Sequence, residues 1–252
     1  MSEATVAFDK VSLVYRGGPV WNRREVSAVR NVSLTIGQGE VLGLVGESGS
    51  GKSSLGRLAL GLASPSSGTV LLEGRAVEGR RSLRGRASVV LQQPEWALNP
   101  RLTIATSVGE PLAVLGVSHG ERAERVSSAL LQVGLDPGML RRYPHELSGG
   151  QRQRASIARA LVTDARFIVF DEAVSALDVS VQVQILNLIK SIRSARDFSA
   201  IFISHDLAAT RYVSDRIAVM RDGEIVEVGA TDRFYEQPLH PYSRELWQAA
   251  RL

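Results

Sequence analysis

Apolar and polar residues alternate along two early stretches of the chain, at residues 6–15 and 29–36. A period of two is typical of strands that bury one face of an antiparallel sheet and expose the other. Other short stretches are almost wholly apolar, which is typical of strands buried on both faces of a parallel sheet. The pattern therefore predicts an α/β chain with an N-terminal antiparallel β part and a parallel central sheet. The apolar stretches occupy residues 41–45, 88–91, 167–170 and 201–204, and further strands are predicted at residues 69–72, 217–220 and 224–228.

Helical periodicity appears between these stretches, where apolar residues repeat at intervals of three and four. The spacing predicts a helix directly after residues 46–54, another around residues 123–133, and two more at residues 151–162 and 178–193. Apolar residues at this spacing share one helix face and are expected to lie in the core. The clearest faces carry Leu55, Leu58, Ala59 and Leu62, then Ala123, Val126, Leu130 and Val133, then Val181, Ile185, Leu188, Ile189 and Ile192.

The order of strands and helices predicts the parts of the chain. Residues 94–150 contain no strand-like stretch, so they are predicted to form an α-helical subdomain inserted into a core of residues 1–93 and 151–230. Residues 231–252 are expected to form a C-terminal tail. Glycine, proline and polar residues predict an extended loop or hairpin tip at residues 17–25 and a tight hairpin at residues 221–223.

The glycine-rich stretch after residues 41–45 matches the phosphate-binding pattern G-x-x-x-x-G-K-[ST] at every fixed position. A triphosphate needs several donors in a small volume, and glycines let backbone N–H groups approach it beside the positive end of a helix. Lys52 is then placed to contact the β- and γ-phosphates, and the Ser53 hydroxyl to ligate Mg²⁺. An incidental glycine-rich turn is the weaker alternative, because this loop lies between a strand and a helix. The stretch comprises Gly46, Glu47, Ser48, Gly49, Ser50, Gly51, Lys52, Ser53 and Ser54.

Two carboxylates follow the apolar stretch at residues 167–170, at the strand end where open α/β sheets bind ligands. Asp171 is predicted to hold Mg²⁺ directly or through water. Glu172 is predicted to orient or deprotonate an attacking water molecule, because phosphoryl transfer depends on positioning and charge neutralisation. The alternative is an acidic pair that only caps the next helix.

A second phosphate-binding helix end is predicted at residues 147–151, which read Leu-Ser-Gly-Gly-Gln. A serine at the cap position and glycine N–H groups at a helix N-terminus suit a phosphate oxygen, although such sequences also simply start helices. One chain thus carries two helix ends that suit phosphate. The arrangement predicts a two-fold dimer with nucleotide held at its interface.

Composition narrows the class of protein. The 252 residues are 44% hydrophobic and 22% charged, which excludes a disordered chain, and no apolar run reaches the ~18 residues of a transmembrane helix. Cysteine is absent, which excludes disulfides and cysteine-ligated metal sites and is typical of cytosolic proteins. Residues 1–5 lack the features of a secretory signal, so none is expected. Clustered arginines without interleaved aromatic residues favour a solvated loop over a nucleic-acid patch; they are Arg75, Arg80, Arg81, Arg84 and Arg86.

These motifs together resemble the nucleotide-binding subunit of ABC transporters, over nearly the whole chain. The family shows, in this order, a phosphate loop, a glutamine after a strand, Leu-Ser-Gly-Gly-Gln, a strand ending in Asp-Glu, Ser-Ala-Leu-Asp, and a strand followed by histidine. The resemblance implies a P-loop (RecA-like) α/β core with a parallel central sheet, an N-terminal antiparallel β subdomain and an inserted α-helical subdomain. It also implies ATP and Mg²⁺ as cofactors. The features after the phosphate loop are Gln92, residues 147–151, Asp171 and Glu172, residues 175–178, and His205.

The resemblance also implies a role for each matching residue. Lys52, Gln92, Glu172 and His205 are the expected catalytic residues, with His205 bridging the γ-phosphate and Glu172. Tyr15 resembles the aromatic residue that stacks on adenine, and Gln92 the residue that senses Mg²⁺ and relays to a membrane subunit. The expected Mg²⁺ site includes Ser53, Gln92 and Asp171. The expected contacts with the nucleotide and interface of a partner ATPase include Ser148, Gly149, Gly150, Gln151 and Asp178.

A narrower likeness lies in residues 92–101 and in His240-Pro241-Tyr242-Ser243, which resemble the oligopeptide, dipeptide and nickel importer branch. That branch implies import of peptides, or of nickel or metal chelates, through integral-membrane permease subunits. A second ATPase subunit, identical or a sister chain, and an extracytoplasmic substrate-binding protein are the further expected partners. The expected place is the cytoplasmic face of the inner or plasma membrane, peripherally. The sequence departs from the branch at Gln93, Ala97 and Ala173-Val174, where Asp, Ser and Pro-Thr are usual.

Three other interpretations are weaker. A soluble ABC-type ATPase acting on nucleic acid or ribosomes is disfavoured, because no long coiled-coil insertion, second nucleotide domain or basic stripe is present, and no nucleic-acid partner is expected. A GTPase is disfavoured because no Asn-Lys-x-Asp motif occurs. Intact Lys52, Glu172 and His205 disfavour a non-catalytic regulatory subunit. For the tail, an ordinary exposed helix with Tyr242 and Trp247 packed on the core stays an alternative.

Overall fold

The computed structural model describes residues 4–17 and 24–249, which form two compact units. Unit 1 contains the residues up to Leu83 and those from Ser199 onward, and unit 2 contains Arg84–Phe198. In chain order the elements are β1 (Ala4–Gly17), β2 (Arg24–Gly37), β3 (Val41–Val45), α1 (Lys52–Ala59), β4 (Ser67–Leu72), β5 (Arg75–Ala76), β6 (Ala87–Leu91), α2 (Ile104–Val114), α3 (His119–Gln132), α4 (Gly149–Leu161), β7 (Phe167–Asp171), α5 (Val179–Ala195), β8 (Ser199–Ile203), α6 (Leu207–Val213), β9 (Arg216–Arg221), β10 (Glu224–Ala230), α7 (Thr231–Glu236) and α8 (Pro241–Ala249).

An antiparallel sheet in unit 1 has the strand order β2-β1-β4-β5. Val6 pairs with Ile36 and Phe8 with Leu34, and all four side chains are buried. The period of two in the sequence therefore placed the apolar faces of β1 and β2 correctly. The short strand β5 had no signal in the sequence. Most of the predicted tip at residues 17–25 lies outside the described residues.

A second group of strands in unit 1 surrounds β3. This strand lies parallel to β8 on one side and to β9 on the other, and β10 pairs antiparallel with β9. Every residue of β3 and β8 is buried, as the continuous apolar runs predicted. Because Leu44 pairs with Ile203, the segments that follow β3 and β8 leave the sheet at the same edge.

The helix α1 ends earlier than the apolar spacing predicted. Leu55, Leu58 and Ala59 are buried, but Leu62 lies beyond the helix and its side chain is 57% exposed. Gly61 takes a left-handed conformation with φ 59°, and the N–H groups of Gly61 and Leu62 donate to the carbonyls of Leu58 and Arg57. This pair of hydrogen bonds is a Schellman motif, which terminates a helix. The prediction that Leu62 belongs to the buried face is therefore wrong.

Unit 2 contains a parallel strand pair and four long helices. β6 and β7 run parallel, with Leu91 opposite Asp171. The helix predicted from residue 151 begins at Gly149, and the helix predicted over residues 178–193 is α5. Ala123 is exposed, so the buried face of α3 is centred instead on Val126, Ala129 and Leu130. The predicted subdomain of residues 94–150 lies within unit 2, and its separate status stays a prediction.

The C-terminal helices α7 and α8 belong to unit 1. Phe234, Tyr235 and Tyr242 are buried in a cluster with residues of β3, α6 and β9. Trp247 packs at the edge of the same cluster, with its ring centroid 5.0 Å from that of Tyr235. Tyr242 and Trp247 therefore pack on the core, as the alternative for the tail expected.

Candidate functional site

The glycine-rich loop between β3 and α1 has a backbone that other residues could not adopt. Gly46 has φ 150°, and a Cβ atom there would lie 2.1 Å from the Met220 carbonyl oxygen. Gly51, the residue before α1, has φ 108°, and its Cβ would lie 2.2 Å from the Ala28 carbonyl oxygen. Side chains at either position would collide with backbone, so the loop keeps this close approach only with glycine. The loop ends at the N-terminus of α1, where backbone N–H groups suit an anion.

Lys52 is the first residue of α1, and its side chain folds back into the loop. It is 6% exposed, and its Nζ donates to the carbonyl oxygens of Gly46 (2.8 Å) and Glu47 (2.7 Å) and to Ser50 Oγ (3.3 Å). A buried ammonium group needs such acceptors. Ser53 and Ser54 follow in the same helical turn and are half-buried. The structure thus brings together in one turn the lysine, the serines and the glycines that the sequence predicted.

Contacts from distant segments hold this loop in place. The Ser50 carbonyl accepts the Gly223 N–H (2.9 Å), and the Gly223 carbonyl accepts the Arg30 N–H (2.8 Å). The Glu47 N–H donates to the Tyr242 hydroxyl over 3.0 Å. None of these three contacts had a signal in the sequence, because each joins residues that are far apart along the chain.

His205 leaves the sheet at the same edge as the loop. The Ser204 N–H before it donates to the Leu44 carbonyl (3.3 Å), and the Asp206 carboxylate after it accepts the Ala209 N–H (3.0 Å). His205 itself is exposed. Its backbone is therefore fixed on both sides.

Tyr15 lies in β1 opposite Val26, and 38% of its surface is exposed. An exposed aromatic ring in a strand can stack on a base. Within residues 4–17 and 24–249, no hydrogen bond or ring contact joins Tyr15 to the glycine-rich loop. Its role stays a proposal from resemblance.

In unit 2 the structure brings Gln92 to the turn after β7. Gln92 follows β6, and its Nε2 donates to Ser175 Oγ over 3.1 Å. The N–H and Oγ of Ser175 both donate to the Glu172 carbonyl, over 3.1 and 2.9 Å. Glu172 takes a left-handed backbone with φ 51°. Asp171 is thus the last residue of β7 and Glu172 lies in the tight turn that follows, and neither residue caps α5.

Gln153 is a residue of this site that no motif in the sequence indicated. It is 0% exposed, and its Nε2 donates to the carbonyl oxygens of Ala173 (2.7 Å) and Leu91 (3.4 Å). One side chain of α4 therefore ties the strand end before Gln92 to the turn after Glu172. The available signal was a glutamine four residues before Ile157, on the apolar face of a predicted helix.

The helix end predicted to suit phosphate is a capping box in this structure. Ser148 Oγ accepts the Gln151 N–H (3.3 Å), and Gln151 Oε1 accepts the Ser148 N–H (2.9 Å). Ser148 is exposed and the two following glycines are half-buried. A Cβ at Gly150 would lie 2.8 Å from Val181 Cγ1, so the glycine lets α4 approach α5 closely. Asp178, directly before α5, is exposed.

The residues present fit ATP and Mg²⁺ in their chemistry. The loop backbone at Gly46 and Gly51 has no room for a Cβ atom, and the buried Lys52 Nζ lies within this loop, which together suit a phosphate group. Each unit carries hard oxygen donors of the kind that Mg²⁺ prefers: the Ser53 hydroxyl in unit 1, and the Asp171 carboxylate and the Gln92 amide oxygen in unit 2. Across residues 4–17 and 24–249, no cluster of three or more His, Cys, Asp or Glu side chains could hold a metal. An ion here would complete its coordination with phosphate and water oxygens.

Two further features of the described part of the chain lie apart from the predicted site residues. A cavity of about 460 Å³ between α2 and α3 is lined by residues such as Glu110, His119 and Arg122, and by none of the predicted site residues. Among the described helices, none combines the length and the apolar character that crossing a bilayer requires.

Comparison with known proteins gives consistent matches. The family described as ABC transporter matches residues 29–175. An ATP-binding protein of Brucella abortus (strain 2308), named for peptide import, is 49% identical over 235 residues, which are 90% of this chain and 70% of that protein. The oligopeptide transport ATP-binding protein OppF of Bacillus subtilis is 45% identical over 238 residues, 91% of this chain and 78% of that protein. A dimeric ATP-binding cassette solved in a post-hydrolysis state with ADP and Pi matches with a TM-score of 0.78 and 29% identity, over 90% of this chain and 98% of that one.

Proposed function

The chain belongs to the ABC transporter family, and from that premise we propose that it is the ATP-hydrolysing subunit of a peptide importer. The observation that carries the proposal is the intact phosphate loop, with a buried Lys52 held within hydrogen-bonding distance of the loop carbonyls. ATP is the substrate and Mg²⁺ its companion ion. Both fit a loop that offers N–H donors, a lysine and a serine hydroxyl in one helical turn.

Each site residue has a proposed task in hydrolysis. Lys52 Nζ donates hydrogen bonds to the β- and γ-phosphates in place of the loop carbonyls. Ser53 and Asp171 would hold Mg²⁺, which would neutralise charge on the phosphates. Glu172 accepts the proton of the water that attacks the γ-phosphorus, while the bond to the β-phosphate oxygen breaks and releases ADP and phosphate. His205 donates a hydrogen bond to the transferring phosphate.

Two site residues have tasks outside the chemical step. Tyr15 stacks on the adenine, because its ring is exposed on β1. Gln92 senses the Mg²⁺ ion and relays its presence through the segment 92–101, which Gln92 begins, to the membrane subunit. The Gln92 side chain is already tied to the Glu172 turn through Ser175, which supports a role in transmitting the state of that turn.

We propose a dimer in which each chain completes the nucleotide site of the other. Ser148, Gly149, Gly150 and Gln151 would contact the γ-phosphate bound by the partner, and Asp178 would lie at the interface. Two exposed residues support this surface. Ser148 lies directly before α4, and Val179, which follows Asp178 in the sequence, is 78% exposed at the start of α5. The second ATPase is an identical copy or a sister chain.

Integral-membrane permeases are the proposed partners at the membrane, with an extracytoplasmic substrate-binding protein acting through them. The chain would lie peripherally on the cytoplasmic face of the membrane. The segment 92–101 is the proposed contact with the permeases, because it begins with Gln92 and because Trp96 within it is 71% exposed. Peptides are the proposed cargo, and nickel or metal chelates are the second candidate, because residues 92–101 and 240–243 resemble the oligopeptide, dipeptide and nickel importer branch.

The experiment that tests the transporter role is affinity purification of the tagged full-length chain from detergent-solubilised membranes of its own host. Mass spectrometry should find permeases in stoichiometric amounts, with a sister ATPase if the dimer is mixed. The soluble fraction, processed in parallel, should lack the permeases. Ribosomes or nucleic acid in place of permeases would reject the proposal and favour a soluble ATPase.

A further inference from the structure

A residue near the C-terminus contacts the backbone of the phosphate loop directly. The hydroxyl of Tyr242, in the first turn of α8, accepts the N–H of Glu47 over 3.0 Å. Tyr242 is 2% exposed, although the two residues are 195 positions apart in the sequence. This loop N–H is therefore directed to a phenol oxygen rather than to a bound anion.

Glu47 links this phenol to the lysine of the loop. Its N–H is held by Tyr242, while its carbonyl oxygen accepts Lys52 Nζ over 2.7 Å. The same carbonyl accepts the Ser50 N–H over 3.2 Å. Because peptide groups are planar, fixing the N–H of Glu47 also fixes the carbonyl of Gly46, the second acceptor of Lys52 Nζ. The position of Lys52 thus depends on a peptide that Tyr242 orients.

The turn before α8 is built to hold Tyr242 in this place. The Glu227 carboxylate accepts the N–H groups of Leu239 and His240, both over 2.9 Å. His240 Nδ1 accepts the N–H of Tyr242 over 3.2 Å. On the other side, the guanidinium of Arg221 lies 4.6 Å from the centroid of the Tyr242 ring. The phenol is therefore fixed by contacts on its backbone and on its ring.

The charge states of Tyr242 and Glu227 favour this arrangement. Burial raises the pKa of the Tyr242 phenol above its ordinary value, so the hydroxyl stays neutral at physiological pH. Burial raises the pKa of Glu227 too, but the nearby Ser243 hydroxyl, the N–H groups of Leu239 and His240 and the His240 side chain outweigh it, and the net pKa lies below the ordinary value. The Glu227 carboxylate, which accepts the N–H groups of the turn, is thus charged at the pH of the cell. The Tyr242 hydroxyl, which accepts the loop N–H, is neutral.

We propose that Tyr242 is a positioning residue of the nucleotide site, which orients the Glu47 peptide so that Lys52 is held where it meets the phosphates. The inference rests on the proposed function, because it assumes that residues 46–54 bind ATP. Tyr242 itself touches the loop and not the nucleotide. Glu47 is an exposed residue and its hydrogen bond to Tyr242 is only partly buried, so its loss costs less than the loss of a bond within the core. The loss then affects the orientation of the loop more than the stability of the fold.

The test is Tyr242→Phe in the full-length chain, with titration of the fluorescent analogue mant-ATP and steady-state ATPase kinetics. We expect Kd and KM to rise about 3- to 10-fold, the range that one hydrogen bond supports, while kcat changes less than about 2-fold. Tyr235→Phe is the matched control, because it also removes a buried hydroxyl of the tail, one that donates to the Leu207 carbonyl away from the loop. Its Kd and KM should equal those of wild type.

Glu227→Gln provides an independent second variant if Tyr242→Phe folds poorly, and it should raise Kd in the same direction by a smaller factor. Wild-type Kd and KM in both loop-linked variants would overturn the inference. An equal rise in Tyr235→Phe would also overturn it, since that result would indicate general loosening of the tail. Failure of the wild-type chain to bind mant-ATP would instead reject the proposed function on which the inference rests.

Discussion

Lys52 is the residue on which the described geometry of the loop converges, and it was also among the easiest to predict. A phosphate loop constrains residue type through backbone angles and donor chemistry, so the pattern in residues 46–54 was enough to find it. Gly46 and Gly51 show why the pattern is strict, because any Cβ there would meet a carbonyl oxygen. Gln153 could not be predicted in the same way, because its partners are two backbone carbonyls that only the folded unit brings to it.

Replacing Glu172 with Gln should remove most of the ATPase activity while leaving the fold intact. The left-handed turn at Glu172 is held through its carbonyl by Ser175, so the isosteric change does not disturb the backbone. A glutamine cannot accept the proton of the attacking water, and a drop in kcat of about 10²-fold or more is expected. Phosphate release under saturating Mg-ATP measures the drop.

The same variant should bind mant-ATP about as tightly as wild type and should dimerise in ATP, which size-exclusion chromatography with light scattering detects. Glu124→Gln is the matched control, an exposed carboxylate in α3 of the same unit whose loss should leave kcat unchanged. Turnover by Glu172→Gln at the wild-type rate would disprove its role as the base.

At the scale of elements, the strands were predicted well and the ends of helices less well. Continuous apolar runs identified β3, β7 and β8 because burial on both faces leaves no room for polar residues. The end of α1 was misplaced because apolar spacing continues to Leu62, whereas Gly61 forms a Schellman motif that stops the helix. Periodicity reports which residues share a face, and it does not report where the backbone stops being helical.

The helix α4 gives a prediction at this scale. Gln153→Leu keeps the volume of the side chain but leaves the Ala173 and Leu91 carbonyls without their donor. The buried Ala173 carbonyl would lose its donor and the partly buried Leu91 carbonyl a weaker one, so the free energy of unfolding should fall by about 1–3 kcal/mol. The turn after Glu172 would lose its tie to α4, so kcat should fall as well. Urea denaturation and phosphate release measure the two effects.

Gln132→Leu is the control for that variant, because Gln132 is exposed at the end of α3 and bonds only weakly, with Ser128 over 3.4 Å. It should unfold at nearly the wild-type urea concentration. Equal stability of Gln153→Leu and wild type would show that water or a shifted backbone replaces the glutamine.

For the whole molecule, the α/β class and the family were accessible from the sequence, whereas the contacts of the tail were not. Alternating and continuous apolar patterns specify which face of each strand is buried, and six ordered motifs specify the family. The hydrogen bond between Glu47 and Tyr242 joins the first fifth of the chain to its last residues. Neither residue carries a local signal for the other, so only the folded chain reveals the contact.

The stability of the whole molecule should depend on pH through Glu227. Its pKa is lower in the folded chain than its ordinary value, so it stabilises the fold fully above about pH 4.3 and less as the pH falls through the lowered value. Glu227→Gln should therefore lower Tm at pH 7, and the difference from wild type should shrink towards pH 3.5. Differential scanning fluorimetry across this range measures it, and a difference that is constant with pH would contradict the assignment.

The pairing of β3 has a consequence for how the chain is made. In the described structure β3 pairs only with β8 and β9, which begin at Ser199 and Arg216. A ribosome adds roughly 5–20 residues per second, so the strand that carries the loop waits several seconds or longer for its neighbours to emerge. The Tyr242 hydroxyl emerges later still. A nascent chain therefore gains its ability to hold nucleotide only after β8, β9 and α8 have been made, and a truncated product that stops before β8 would carry the loop sequence without a working site.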